Sequence, residues 1–184
     1  MALPRRIAGY AIISREGSIA TSDGRFPAEI KFDADQRFFH DSLDRAAAVA
    51  NGRHSAEGDA RAAERRRLVL TRRIAALAPD PSNPKAILWN PAGASLAQAW
   101  EALKVDGTLA VVGGTDVFGL FLAIGYDDFF LSRAPASVPD GRPVFPGVPS
   151  QTPEALLAAH GLVKRSERLL DADAQVTLAQ WSRA

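Results

Sequence analysis

Short apolar runs alternate with amphipathic stretches along most of this chain. The runs end in glycine or polar residues, which predicts buried strands at 7–14, 46–50, 68–71, 86–89, 108–112 and 127–132. The amphipathic stretches predict helices at 34–47, 95–104, 115–125 and 153–160. The last two apolar segments, 162–170 and 175–182, predict an antiparallel hairpin. Together these elements indicate an α/β fold with a mostly parallel central sheet and flanking helices.

Local signals refine three of these predictions. Asp33 with Gln36, and Ser95 with Gln98, have the spacing of capping boxes and predict where two helices begin. The segment 74–85 contains several prolines, each of which fixes φ and lacks an amide donor. We therefore predict that this segment is mostly loop.

Composition narrows the class of protein. The 184 residues, 47% of them apolar, suffice for one domain spanning 1–184 with a sizeable core. A formal net charge of +1 gives no case for a nucleic-acid or membrane partner. The absence of cysteine excludes disulfides and cysteine nucleophiles, and the three histidines lack the spacing of metal ligands. The first apolar run is too short for a signal peptide, so we expect a cytoplasmic protein.

Three predicted strand ends carry groups that suit a phosphate. Gly113 and Gly114 lie between a strand and a helix, where the backbone can approach an anion closely. The segment 53-RHS-55 follows another strand, and Arg72 and Arg73 follow a third. A tight turn and a solvated basic surface explain the same residues without a ligand. Neither G-x-G-x-x-G nor a P-loop motif is present, which disfavours a standard Rossmann site.

Five segments, in order and with similar spacing, resemble dihydrofolate reductase. They are 12-IISREGSIA-20, 51-NGRHS-55, 68-LVLT-71, 111-VVGGTDVF-118 and 129-FFLSR-133. The segment 17-GSIATSDG-24 is also similar to the reductase domain of riboflavin biosynthesis. The resemblance extends from about Ile7 to Trp181 and implies a dihydrofolate reductase-like fold with NADPH as cofactor.

The resemblance implies a cofactor site drawn from most of these segments. Its residues would be Ile19, Ala20, Gly52, Arg53, His54, Ser55, Thr71, Arg72, Gly113, Gly114, Thr115, Asp116, Val117 and Phe118. In the family the Gly-Gly peptide is cis, the helix turn after it contacts the pyrophosphate, and the residues that match Thr71 and Arg72 contact the 2′-phosphate. Asp116 departs from the pattern, because a basic residue often occupies its position.

The resemblance also implies a catalytic acid, Asp35, at the start of the first helix. In dihydrofolate reductases this carboxylate hydrogen-bonds the pterin and raises the effective basicity of the imine that accepts the hydride. Phe39, Ile12 and Arg65 would contact the substrate, and either Arg65 or Arg66 would hold the glutamate carboxylate of a folate. An acid stabilised by the helix N-terminus is the alternative role of Asp35. The family's Pro-Trp motif is absent from 24-GRFPAEIKF-32.

Three hypotheses for the function follow from these residues. The first is an NADPH-dependent reductase acting on dihydrofolate or a related pterin. The second keeps the fold and cofactor but reduces a ribosylamino-pyrimidine, as in riboflavin biosynthesis. The third is a non-catalytic nucleotide-binding protein of the same fold. All three predict a small-molecule partner, and the riboflavin branch, which is commonly dimeric, leaves a homodimer open.

Overall fold

A nine-stranded sheet forms the centre of the protein. The computed structural model describes residues 2–55 and 61–184. The strands are β1 Arg6–Ile13, β2 Ser18–Ala20, β3 Ala48–Gly52, β4 Arg67–Leu70, β5 Leu77–Asp80, β6 Asn83–Trp89, β7 Thr108–Val111, β8 Asp128–Arg133, β9 Arg142–Pro143, β10 Leu162–Asp171 and β11 Val176–Arg183. The helices are α1 Asp33–Arg45, α2 Leu96–Leu103, α3 Thr115–Ile124 and α4 Pro153–Ala159, and short 3₁₀ helices cover Ala28–Ile30 and Ala62–Glu64.

The strand order in the large sheet is β10-β11-β8-β1-β7-β3-β4-β6-β5, and β2 pairs with β9 in a separate ribbon. All strands from β8 to β6 in this order are parallel. The C-terminal hairpin and β5 add antiparallel strands at the two edges. The predicted α/β fold with a C-terminal hairpin is therefore confirmed. Within 2–55 and 61–184, no helix has the length and apolar character needed to cross a membrane.

Helices pack on both faces of the sheet. α2 and α3 contribute Trp100 and Phe121 to the larger core cluster, which includes Ala50 of β3. α1 contributes Leu43 to a smaller cluster around Val49, the chain neighbour of Ala50. Because successive side chains of a strand point to opposite faces, the two clusters lie on opposite sides of the sheet. The carboxyl ends of the parallel strands remain between these helical layers.

The predicted capping boxes differ in outcome. The Ser95 hydroxyl accepts from the Gln98 amide, and the Gln98 side chain accepts from the Ser95 amide, which confirms the box at α2. At α1 the predicted box is wrong, because Asp33 is already the first helical residue and extended Phe32 occupies the cap without a side-chain bond. The Gln36 amide donates to the Phe32 carbonyl instead. Backbone geometry at Phe32 therefore sets the start of α1.

The proline-rich segment 74–85 forms a hairpin, so its prediction as loop is wrong. β5 and β6 pair antiparallel and contain Pro79 and Pro84 respectively. β5 is the edge strand, where one side of the backbone needs no partner and a missing amide donor is tolerated. Pro84 precedes Ala86, the first residue of β6 that pairs with β4. The prolines thus lie where the ladder does not require their amides.

Candidate active site

The carboxyl ends of five neighbouring parallel strands line one edge of the sheet, which is distinct from the lateral edges formed by β5 and β10. β8, β1, β7, β3 and β4 are consecutive and parallel, so their ends lie side by side. Ligands of open α/β sheets bind beyond such ends. The segments that leave this edge are 14–22 after β1, 53–55 after β3, 71–73 after β4 and 113–116 after β7. The structure therefore brings most of the sequence-predicted cofactor residues to a common edge, whereas Val117 and Phe118 are buried in the larger core cluster.

The glycine pair, Gly113 and Gly114, lies against the end of β3. The peptide between the two is cis, and Gly113 has a φ of +104°, which favours glycine. The Gly113 carbonyl accepts from the Gly52 amide at 2.9 Å. A Cβ on Gly113 would lie 2.8 Å from the Phe118 ring, and one on Gly114 would lie 3.6 Å from Ser55 Oγ. A side chain at 113 would therefore collide with Phe118, and one at 114 would face the 52–55 loop.

The first turn of α3 is fixed to the ribbon of β2 and β9. Thr115 Oγ1 donates to the Pro143 carbonyl at 2.5 Å. Pro143 pairs in turn with Ser18 of β2, the strand that carries Ile19 and Ala20. The positive end of the α3 dipole thus lies beside the β2 ribbon.

Exposed charges border the glycine pair. The side-chain nitrogens of Arg53 and His54 are 3.3 Å apart after β3. Arg72, after β4, forms a 3.3 Å ion pair with Asp116 on the first turn of α3, and these side chains are 87% and 79% exposed. An ion pair this exposed contributes little to stability. Asp116, an acid without an evident role in the sequence, therefore pairs with Arg72 across the end of β3.

This edge fits the phosphates of a dinucleotide. The glycine pair permits close backbone approach, and Arg53 and Arg72 supply exposed cations. Thr71 Oγ1 accepts from the Arg73 amide and holds the turn after β4. Asp116 lowers the net positive charge, but a phosphate can displace an exposed carboxylate from Arg72 at small cost.

Asp35 lies in the first turn of α1 and is 5% exposed. Burial raises its pKa from 3.8 to about 6, against smaller lowering effects of a hydrogen bond with Ser132 and of His40. Ser132 pairs with Ile12 where β8 runs beside β1. Ile12, Asp35 and Ser132 thus form a buried corner at the sheet edge. A carboxyl with a pKa near 6 can exchange a proton close to neutral pH.

The predicted substrate residues Phe39 and Arg65 contact α1 or lie on it, beyond its first turn. Phe39 follows one turn later and packs in the cluster around Leu43. Arg65 is nearly buried and donates to Asp44 at 2.7 Å. Asp44 lies about 13 Å along the helix from Asp35, at 1.5 Å per residue. To hold a folate carboxylate, Arg65 would have to bind Asp44 and the substrate at once.

The segment between β1 and β2 is tied to the loop after β8 through Glu16. Its carboxylate accepts from the Ser14 hydroxyl at 2.7 Å, the Val138 amide at 2.9 Å and the Ser137 hydroxyl. These bonds, led by that of Ser137, lower the pKa of Glu16 to about 2. The carboxylate thus fixes the segment that leads to Ile19.

Ser132 and Glu16 were not predicted as residues of the site. Ser132 carries a recognisable signal, because it is a buried small polar residue near the end of the otherwise apolar strand β8. Glu16 carries none, because its partner Ser137 is 121 residues away.

Solved structures with the same fold include dihydrofolate reductase and riboflavin-biosynthesis proteins. The chain superposes on a diaminohydroxyphosphoribosylaminopyrimidine deaminase/5-amino-6-(5-phosphoribosylamino)uracil reductase from Thermotoga maritima with a TM-score of 0.69 and 19% identity, over 99% of this chain and 57% of that one. A protein assigned to riboflavin biosynthesis from Shewanella sp. PV-4 gives a TM-score of 0.64 and 15% identity, over 97% and 99% of the two chains. Dihydrofolate reductase from Enterococcus faecalis, complexed with NADP(H) and RAB-propyl, gives 0.65 and 16%, over 100% and 99%.

The chain spans little more than half of the Thermotoga protein and almost all of the other two. No family model matches it, and no curated protein sequence matches it. Likeness at these identities establishes the fold. The chain therefore has the fold shared by dihydrofolate reductases and riboflavin-biosynthesis reductases, which confirms the resemblance seen in its sequence segments.

Proposed function

We propose that the protein is an NADPH-dependent reductase that transfers a hydride to dihydrofolate or a related pterin. The observation that carries this proposal is the buried Asp35 carboxyl beside Ser132, whose pKa of about 6 suits proton exchange. A buried acid destabilises a fold when it ionises, so its presence at a ligand-binding edge favours a chemical role. The fold is that of a dihydrofolate reductase solved with NADP(H).

Different residues of this edge are proposed to bind the phosphates and the nicotinamide of the cofactor. We assign the cofactor phosphates to Arg53, Ser55 and Arg72, which are cations or a hydroxyl near the glycine pair. We assign the nicotinamide side to Ile19 and Ala20, which are half-buried on β2. The cofactor, when bound, supplies the hydride, and the protein supplies orientation and a proton.

Reduction of a C=N bond needs a hydride on carbon and a proton on nitrogen. Asp35 can hold that proton near neutral pH, because burial disfavours its ionised form. The neighbouring Ser132 hydroxyl has a smaller, opposite effect, because it lowers the pKa of Asp35. Burial also keeps bulk water from competing for the proton.

The test is NADPH oxidation with dihydrofolate, followed by absorbance. We expect turnover by the wild type and a fall in kcat of about 100-fold or more in Asp35→Asn, the usual loss when a general acid is removed. Asp33→Asn is the matched control, because Asp33 is an exposed acid on the same helical turn. Background oxidation by the wild type, or equal losses in both variants, would refute the proposal.

A second candidate is reduction of a ribosylamino-pyrimidine by the same hydride transfer. The Arg65–Asp44 pair favours it, because the cation that would hold a folate's glutamate already binds a carboxylate, which it shares with Arg61. The similar Thermotoga protein is described as a 5-amino-6-(5-phosphoribosylamino)uracil reductase. Comparing kcat/KM for that pyrimidine and for dihydrofolate decides between the candidates. Arg65→Gln should raise KM for dihydrofolate alone if the folate assignment is right.

A further inference from the structure

The buried side chain of Asn51, at the end of β3, bonds in two directions. Its Nδ2 donates to the Gly52 carbonyl at 2.9 Å and to the Ser55 carbonyl at 2.7 Å. Its Oδ1 accepts from Nη1 of Arg67, at the start of β4, at 2.9 Å. Asn51 is 5% exposed and Arg67 8%, so solvent does not compete strongly for these bonds.

Arg67 determines which way the Asn51 amide faces. The other terminal nitrogen of Arg67 donates to the Ala62 carbonyl at 2.9 Å, which holds the guanidinium in place. A guanidinium has donors and no acceptor, so the Asn51 oxygen must face it. The Asn51 NH₂ group must then face the 52–55 loop.

The Asn51 NH₂ group donates hydrogen bonds to the carbonyl oxygens at both ends of that loop. The Gly52 carbonyl also accepts from the Ser55 amide at 2.9 Å, which closes the loop into a turn. Carbonyl oxygens repel a phosphate, and amide or hydroxyl groups attract it. A loop that binds an anion must therefore turn its carbonyls inward, and Asn51 supplies the inward donors.

We propose that Asn51 and Arg67 are positioning residues, which hold the 52–55 loop in the conformation that binds the cofactor phosphates. The inference rests on the proposed function, since it takes the phosphate end of NADPH as the ligand of this loop. Asn51 acts through the Gly52 and Ser55 carbonyls, and Arg67 acts through Asn51.

Two substitutions of Asn51 test the role of its NH₂ group. Asn51→Asp keeps the acceptor for Arg67 and removes both donors, and Asn51→Ala removes the donors without adding charge. We expect Kd and KM for NADPH to rise about tenfold in both variants, with a much smaller change in kcat, because two hydrogen bonds of ordinary strength are lost. Kd is measured by quenching of tryptophan fluorescence. Asn51→Ala, which adds no charge, separates the loss of the donors from the effect of the new carboxylate in Asn51→Asp.

Adenosine 2′,5′-bisphosphate carries phosphate groups without the nicotinamide and should show the same loss. A loss confined to NADPH would overturn the assignment to this loop. A lower Tm with unchanged Kd would mean that Asn51 has only a structural role, and would also overturn it. Equal binding by wild type and Asn51 variants refutes this inference and leaves the proposed function standing. Failure of the wild type to bind NADPH refutes the proposed function, and the inference falls with it.

Discussion

Replacing Asp35 with asparagine should stabilise the fold while it removes activity. Burial raises the pKa of Asp35 from 3.8 to about 6. A difference of this size between unfolded and folded states corresponds to about 3 kcal/mol. Because the folded pKa is the higher one, the unfolded chain loses its proton first as pH rises. Asp35 therefore leaves the free energy of unfolding unchanged below pH 3.8 and lowers it by the full amount above pH 6.

Urea unfolding at a series of pH values measures this effect. We expect the free energy of unfolding of Asp35→Asn to exceed that of the wild type by up to about 3 kcal/mol at pH 8. This difference should vanish as pH falls from about 6 to about 4. Asp33→Asn should lose less than about 1 kcal/mol, because Asp33 is an exposed acid at a helix N-terminus. A stability difference for Asp35→Asn that does not change with pH would refute the argument from burial.

The same pKa predicts how activity depends on pH. If Asp35 holds the proton for reduction, kcat should fall about tenfold per pH unit above pH 6, because the protonated fraction falls by that factor. Single-turnover rates across pH 5 to 8 separate this step from product release. A wild-type profile that stays flat across this range would show that the proton comes from another source.

Three further variants probe the rest of the edge. Asp116→Asn should lower Kd for NADPH about two- to fivefold without a similar change for NADH, because Arg72 loses its competing carboxylate; an unchanged ratio of the two Kd values counts against this. Glu16→Gln should lower Tm at pH 7, with the difference narrowing as pH falls from 4.5 to about 2, since the depressed pKa of Glu16 stabilises only the ionised form. Gly113→Ala should destabilise the protein in urea by more than Gly161→Ala, because both residues have positive φ but only the added Cβ at position 113 meets another atom within 4 Å among the described residues.

Local signals predicted most of the fold because they are encoded within a few residues. The run 108-TLAVV-112 followed by the glycine pair gives a strand, a turn and a helix start without reference to the rest of the chain. Ser95 and Gln98 likewise predict the start of α2 from residues that are three positions apart. The predicted capping box at Asp33 was wrong because α1 begins where the backbone conformation of Phe32 sets it. The loop predicted at 74–85 was wrong because β5 pairs with β6 at the edge of the sheet. Both features depend on the tertiary structure and not on nearby residues.

Within the candidate site, the residues with local motifs were predicted and the residues with distant partners were not. The glycine pair and Arg72 follow strand ends and can be recognised from order alone. The pairing of Arg65 with Asp44, like that of Arg67 with Asn51, joins residues on different elements. Such pairs depend on which helix or strand packs beside which, and the hydrophobic pattern does not specify side-chain contacts at that level.

The proposed catalytic acid and the proposed phosphate-binding residues differ in their exposure to solvent. Asp35 is buried, so its chemistry responds to pH and is screened little by salt. Arg53, Arg72 and Asp116 are exposed, so the attraction of the two arginines for a phosphate, and its repulsion by Asp116, weaken as ionic strength rises. Raising salt should therefore increase KM for NADPH while kcat holds, and raising pH should lower kcat while KM for NADPH holds. A separation of this kind follows from placing the acid in the core and the cations at the rim of the same sheet edge.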